Sequence, residues 1–154
     1  MWGKIAACWC ALFAALHVYW ALGGDIGLAA SAGPDLAAQR PLWFVLFGLW
    51  GVALLLAAGA AFCLLRHPWQ RVGQFAGAIL FARGVLIEFL LLTGIAEVSA
   101  EERFWSLVLW NPWFALGGVL WLLAFNRSPR RRRRARAAGG RRRRAGSRSS
   151  DHPR

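Results

Sequence analysis

Four long apolar blocks alternate with short polar stretches along this chain. They cover residues of about 5–22, 42–65, 72–93 and 104–125. Each holds roughly 18–24 residues, which at about 1.5 Å per residue crosses a hydrocarbon core of about 30 Å. The first, second and fourth contain no Asp, Glu, Lys or Arg. Strands of a membrane barrel are about half as long and alternate in polarity, so uninterrupted runs predict helices. The expected fold is an all-α membrane protein, with four transmembrane helices in a compact bundle over residues 1–126.

The connectors fit that reading. "GGDIGLAASAGPDLAAQRP" reads as a loop, "RHPWQR" as a tight turn with a helix-stopping proline, and "GIAEVSAEER" as a short acidic loop. Trp20, Trp43, Trp69 and Trp105 fall near block ends, where interfacial aromatic belts belong.

Charge orients the blocks. Thirteen of the nineteen Lys and Arg residues lie after Asn126. With a cytoplasmic N-terminus, the inner side holds those thirteen together with Lys4, Arg66 and Arg71. The outer side holds only Arg40 and Arg103. Positive loops stay inside, so both termini are expected in the cytoplasm of a multi-pass protein of the cell membrane. A rival reading makes the first block a signal peptide, with Lys4 ahead of it and "ASA" at Ala30–Ala32 as the cleavage site. Its length, His17 and the distance of that site from its end weigh against cleavage.

Residues 127–154 contain no apolar side chain larger than Ala or Pro, so this Arg-rich cytoplasmic tail is expected to be disordered. Arg130, Arg131, Arg132, Arg133 and Arg134 are candidate contacts for anionic lipid headgroups, at roughly 1 kcal/mol per charge near the surface. A plain topology anchor is the competing reading. Nucleic acid is not expected as a partner, because no aromatic residue interleaves with the arginines to stack on bases.

Charge inside the third block poses the central question. Arg83 falls near its middle, and Glu88 about 7–8 Å further out at 1.5 Å per residue. His17 of the first block and Asn111 of the fourth fall at a similar outer depth. On a helical wheel Gly73, Gly77, Gly84 and Glu88 share one face, which small residues mark as a packing face. Asn111 shares a stripe with Ala115 and Gly118. Arg83 lies about 140° from Glu88 on an ideal helix. It is expected to reach Glu88 obliquely, to pair across helices, or to bind carbonyls freed by Pro112, which cannot donate to Val108. His17, Arg83, Glu88 and Asn111 are therefore the candidate polar cluster, expected to be buried together in the outer half of the bundle.

Two stretches carry a resemblance. "HVYWALGG", His17 to Gly24, closes the first block, and "ERFWSLVLWNPWFALGGVLWLLAF", Glu102 to Phe125, forms the last. Together with the four-block layout over about Ile5 to Phe125, they resemble the small bacterial four-helix membrane proteins catalogued as domain of unknown function 3995. The resemblance implies integral membrane location and four helices, and implies no activity.

Two functions compete. The cluster is either an outward polar site for a small ligand, ion or proton, or a packing lock in a structural or partner-binding membrane subunit. An enzyme using Glu88 and His17 as acid and base is the weaker alternative, since no GxSxG, HExxH, paired carboxylate or metal-ligand set is present. Cys8, Cys10 and Cys63 show no CxxC or zinc spacing and read as small packed hydrophobes. No cofactor or metal is expected. The oligomeric state is open.

Overall fold

A computed structural model of the protein describes residues 1–65, 70–96 and 98–126. Helix α1 spans Trp2–Ala21, and short helices α2 (Leu28–Ala32) and α3 (Pro34–Gln39) occupy the first connector. The remaining long helices are α4 (Phe44–Leu64), α5 (Gln70–Leu92) and α6 (Ala100–Phe125). No strand occurs among the described residues. Helices α1, α4, α5 and α6 are each long and apolar enough to cross a membrane.

Local chemistry explains where the boundaries depart from the apolar blocks. Helix α6 starts in the polar run before its apolar block, because Ser99 and Glu102 form a capping box. The Glu102 amide donates to Ser99 Oγ at 3.2 Å, and the Ser99 amide donates to Glu102 Oε2 at 3.1 Å. Glu101 and Glu102 also place negative charge at the positive end of the helix dipole. Residues Ser106–Trp110 then widen into a π-helical turn just before Pro112. Proline lacks an N–H and its ring crowds the carbonyl one turn back, so widening the turn relieves both demands. A second π-helical stretch, Phe44–Gly51, opens α4.

The long helices pack in the order α4, α1, α6, α5. The main contacts join α5 to α6, α1 to α4, and α1 to α6, while α4 and α5 share no substantial packing among the described residues. The expected compact bundle is thus an array with α1 and α6 central. Its core is rich in rings: Trp9, Phe13 and Trp20 of α1 meet Trp110, Trp121 and Phe125 of α6. The outer helices leave large side chains uncovered, among them Phe47, Leu54 and Leu55 on α4 and Phe75, Leu86 and Phe89 on α5.

Close approaches sort the ends. Gly3 abuts the Cys63 carbonyl, and Gly73 abuts the Phe125 ring. The start of α1, the end of α4, the start of α5 and the end of α6 therefore share one end of the molecule. Gly27 approaches Trp110, and Gly33 approaches Glu102, at the other end. Trp43 and Trp105 are exposed, as a belt requires, but Trp20 is only 1% exposed and belongs to the core. Trp69 lies outside the described residues.

Candidate functional site

Glycine builds the seam between α5 and α6. A Cβ placed on Gly84 would lie 2.7 Å from both the Ala115 nitrogen and the Asn111 oxygen. One on Gly118 would lie 2.7 Å from the Gly77 oxygen. These neighbours are backbone, so the two helices touch along their main chains. Close approach of this kind is how helices associate in lipid, where burying apolar surface gives no drive.

Glu88 sits one turn beyond Gly84 on the same face. Asn111 is 2% exposed and donates its side-chain amide to Glu88 Oε2 at 3.0 Å. Glu88 is half-buried, and its other carboxylate oxygen has no hydrogen-bond partner among the described residues. Two of the four candidate residues are thus joined, at the end of the glycine seam that lies farthest along α5.

The other two are elsewhere. His17 is buried, but its Nδ1 bonds the Phe13 carbonyl of its own helix at 2.9 Å. Its ring packs edge-on against Phe13 and Trp20, with centroids 4.7 and 5.1 Å away. It makes no hydrogen bond to Glu88, Asn111 or Arg83. Arg83 corrects the expectation of burial: it is exposed, on the flank of α5 away from Glu88. Its guanidinium lies 3.7 Å above the Phe114 ring, and it pairs with no carboxylate among the described residues. The cause is rotational. Gly84 faces α6 squarely, Glu88 is about 40° to one side of it, and Arg83 about 100° to the other. The tail arginines Arg130–Arg134 lie outside the described residues.

An unforeseen polar device closes the C-terminal end of α1. Arg40 donates from Nη1 to the Trp20 carbonyl at 3.0 Å and from Nη2 to the Gly24 carbonyl at 2.6 Å. Its Nε donates to the Ala37 carbonyl at 3.3 Å. A cation on the last carbonyls of a helix satisfies acceptors that have no partner within it and complements the dipole. Trp20 adds an indole N–H to the Ile26 carbonyl at 2.9 Å. Gly23 turns the chain at a φ of +108°, and Gly24 lies so close to the Tyr19 ring that a Cβ would collide with it. The sequence signal was Arg40 itself, the single cation of its connector.

Chemistry beyond this is limited. No group of three or more His, Cys, Asp or Glu side chains able to hold a metal occurs among the described residues. An open cleft of about 600 Å³ is lined by Gly33, Pro34, Asp35, Ser99 and Glu102, and Glu88 is not part of its lining. Three buried indole N–H groups, of Trp9, Trp110 and Trp113, have no acceptor among the described residues.

Both quoted motifs are therefore spent on turns and contacts. His17–Gly24 ends α1 and folds the connector back over it. In the second motif Asn111 reaches Glu88, Gly117 lies against the Trp9 ring, and Gly118 lies against the α5 backbone. The chain belongs to the family described as protein of unknown function DUF3995, which matches residues 10–121. No curated protein and no solved structure matches it. The matched span takes in the first motif whole and the second as far as Trp121.

Proposed function

We propose that the protein is a structural or partner-binding subunit embedded in the membrane, with Glu88 and Asn111 as a packing lock between α5 and α6. The Glu88–Asn111 hydrogen bond at the head of a backbone-to-backbone glycine seam carries this reading. A polar pair in hydrocarbon has few alternative partners, so it fixes which helices meet and in which register. Membrane insertion is supported by four apolar helices and by the large side chains left uncovered on α4 and α5. Retention of α1 is supported by its central place: it packs on both α4 and α6.

Arg83 supplies the partner-binding half. A cation at mid-membrane costs roughly 2.5–3.5 kcal/mol on insertion scales, and pairing lowers that cost. Its exposure beside Phe114 suits a neighbouring membrane helix that brings a carboxylate to the same depth. This reading sets both termini in the cytoplasm, where loops rich in Lys and Arg stay, and takes anionic headgroups as partners of the tail arginines. Reporter fusions after Arg71 and Asn126 should read cytoplasmic, and fusions near Pro34 and Ala100 external; the reverse pattern rejects this orientation.

One observation favours a second reading. The free oxygen of the half-buried Glu88 carboxylate suits a proton or small-cation site. Glu88→Leu separates the two. The lock predicts loss of folded yield and a lower unfolding temperature in detergent. An unchanged unfolding temperature removes the lock and leaves the proton site.

A further inference from the structure

The two charges of α5 stand on opposite faces of the α5–α6 pair. Arg83 lies over Phe114, and Phe114 meets Phe13 of α1 edge-on at 5.4 Å, so Arg83 is on the face that carries α1. There it borders the opening between α4 and α5, which share no substantial packing among the described residues. Glu88 is turned about 140° from it on an ideal helix, toward Asn111 and the face away from α1. Each charge has unused bonding capacity. Among the described residues, the exposed Arg83 pairs with no carboxylate, and the half-buried Glu88 keeps one oxygen free. A guanidinium stacked on a ring leaves the N–H groups of its edge free to fork onto a carboxylate.

Depth narrows the partner. Arg83 lies about 3 Å from the midpoint of α5 at 1.5 Å per residue, whereas lipid headgroups begin about 15 Å from the centre of a core about 30 Å thick. A headgroup does not reach that level, so the matching anion is a carboxylate carried into the membrane by protein. Of the chain's seven Asp and Glu residues, only Glu88 lies inside an apolar block. We infer that copies of this chain associate face to back, with Arg83 of one copy bonding the free oxygen of Glu88 on the next. This rests on the partner-binding reading and names the partner as a second copy. Copies insert in one orientation, which leaves Glu88 about 7–8 Å further along the membrane normal than the arginine it meets. The Glu88 side chain tilts back toward the start of α5, and so toward that level, and the long arginine stem spans the remainder. Asn111 keeps the other Glu88 oxygen, so the bond within the chain and the bond between chains coexist. Because the two faces differ, the contact is head-to-tail. A copy that gives its arginine to one neighbour offers its carboxylate to another, and assembly extends past the dimer into a ring or row.

Full-length chains labelled at the N-terminus with a donor or an acceptor dye, reconstituted together in phosphatidylcholine liposomes, test this by energy transfer. Wild-type chains should transfer energy, and single-particle photobleaching should count more than two copies. Glu88→Gln keeps an acceptor for Asn111. It and Arg83→Leu should each need about three- to tenfold more protein per lipid for the same transfer, the weakening expected from one lost interhelical polar contact. Mixing donor-labelled Arg83→Leu with acceptor-labelled Glu88→Gln should restore transfer, because each supplies the charge the other lacks. Only one such contact forms per pair, so the count should stop at two. That rescue also shows that both variants are folded. Transfer unchanged by Arg83→Leu, or no rescue in the mixture, overturns the proposal. Wild-type chains that show no transfer overturn it too, and leave the partner-binding reading to a carboxylate on a different protein. Failure of the lock shows instead in the unfolding temperature of Glu88→Leu.

Discussion

Helix α6 has two working faces, and they are built on opposite plans. Toward α5 it presents Gly118, Ala115 and the Asn111 carbonyl, and main chain meets main chain. Toward α1 it presents rings: Trp113 stacks on Trp9 at 5.7 Å, Phe114 meets Phe13 edge-on at 5.4 Å, and Trp110 meets Trp20 at 5.8 Å. One seam has removed side chains to bring helices together, and the other has filled a wider gap with them. Lipid rewards both, because packing rather than water exclusion holds helices there. They differ in what they tolerate. Rings can shift by a fraction of an ångström, but backbones in contact can yield only by moving whole helices.

Consecutive glycines expose that difference most directly. Gly117 faces the aromatic seam, where a Cβ would crowd the Trp9 ring. Gly118 faces the glycine seam, where it would crowd the Phe81 nitrogen and the Gly77 oxygen. Gly118→Ala should cost about 3 kcal/mol or more, at the upper end of overpacking penalties, and Gly117→Ala about 1–2 kcal/mol. Thermal unfolding in detergent gives the comparison. Adding Trp9→Phe should relieve Gly117→Ala and leave Gly118→Ala unchanged. Equal losses from the two alanines would show that the rings are as rigid as the backbone.

Next in size is the single polar bond at the head of the glycine seam. Asn111→Leu strands Glu88, and Glu88→Leu strands the Asn111 amide. A double-mutant cycle should return a coupling of about 0.6–2 kcal/mol, the range for interhelical hydrogen bonds in membranes. A coupling near zero would make the glycines alone responsible for the seam.

Within the aromatic seam, two tryptophans in contact allow a finer comparison. Trp20 and Trp110 are both buried, but Trp20 donates to the Ile26 carbonyl while Trp110 has no acceptor among the described residues. Trp20→Phe loses ring volume and a hydrogen bond. Trp110→Phe loses ring volume and sheds an unpaired donor. Trp20→Phe should therefore be the worse by about 1 kcal/mol, the net worth of a typical hydrogen bond. If Trp110→Phe were the worse, its N–H would have to be bonded in the membrane, most simply to a water.

How much of this was legible in the sequence follows from what periodicity can carry. The four helices and the face joining Gly73, Gly77, Gly84 and Glu88 were readable, because 3.6-residue spacing and small side chains survive without coordinates. Asn111 was readable by depth and by its stripe with Ala115 and Gly118. His17 was not, because depth says nothing about whether a ring turns toward a neighbour or back to its own helix at Phe13. The helices α2 and α3 were hidden in a connector of Gly, Ala and Pro, where Leu28 alone is buried. The Ser99–Glu102 capping box is written in the sequence as S-x-x-E, but the same acidic run reads equally well as a loop. Arg40 reads along the chain only as a loop charge, because the carbonyls of Trp20 and Gly24 that it holds lie 16 or more residues away in sequence. Ideal wheels also lose phase at Phe44–Gly51 and Ser106–Trp110, where π-helical turns add residues to each revolution.

The smallest expected effect concerns the two charges of α5. Their sequence positions favoured a shared polar cluster, in which losing one charge would strand the other. The geometry reverses that expectation. Glu88 bonds Asn111 on the side of the glycine seam, and Arg83 stands exposed over Phe114 on the opposite flank. Groups with no shared partner usually add within about 0.3–0.5 kcal/mol. Arg83→Leu with Glu88→Leu should therefore unfold at the temperature predicted by summing the single mutants. Arg83→Leu alone should leave the isolated protein as stable as before or more so, since an unpaired cation leaves the hydrocarbon and only its contact with the Phe114 ring is lost. A coupling above about 1 kcal/mol, well outside that additive range, would mean that the arginine swings round to the carboxylate in lipid. The glycine seam would then end in a three-residue polar site rather than a single hydrogen bond.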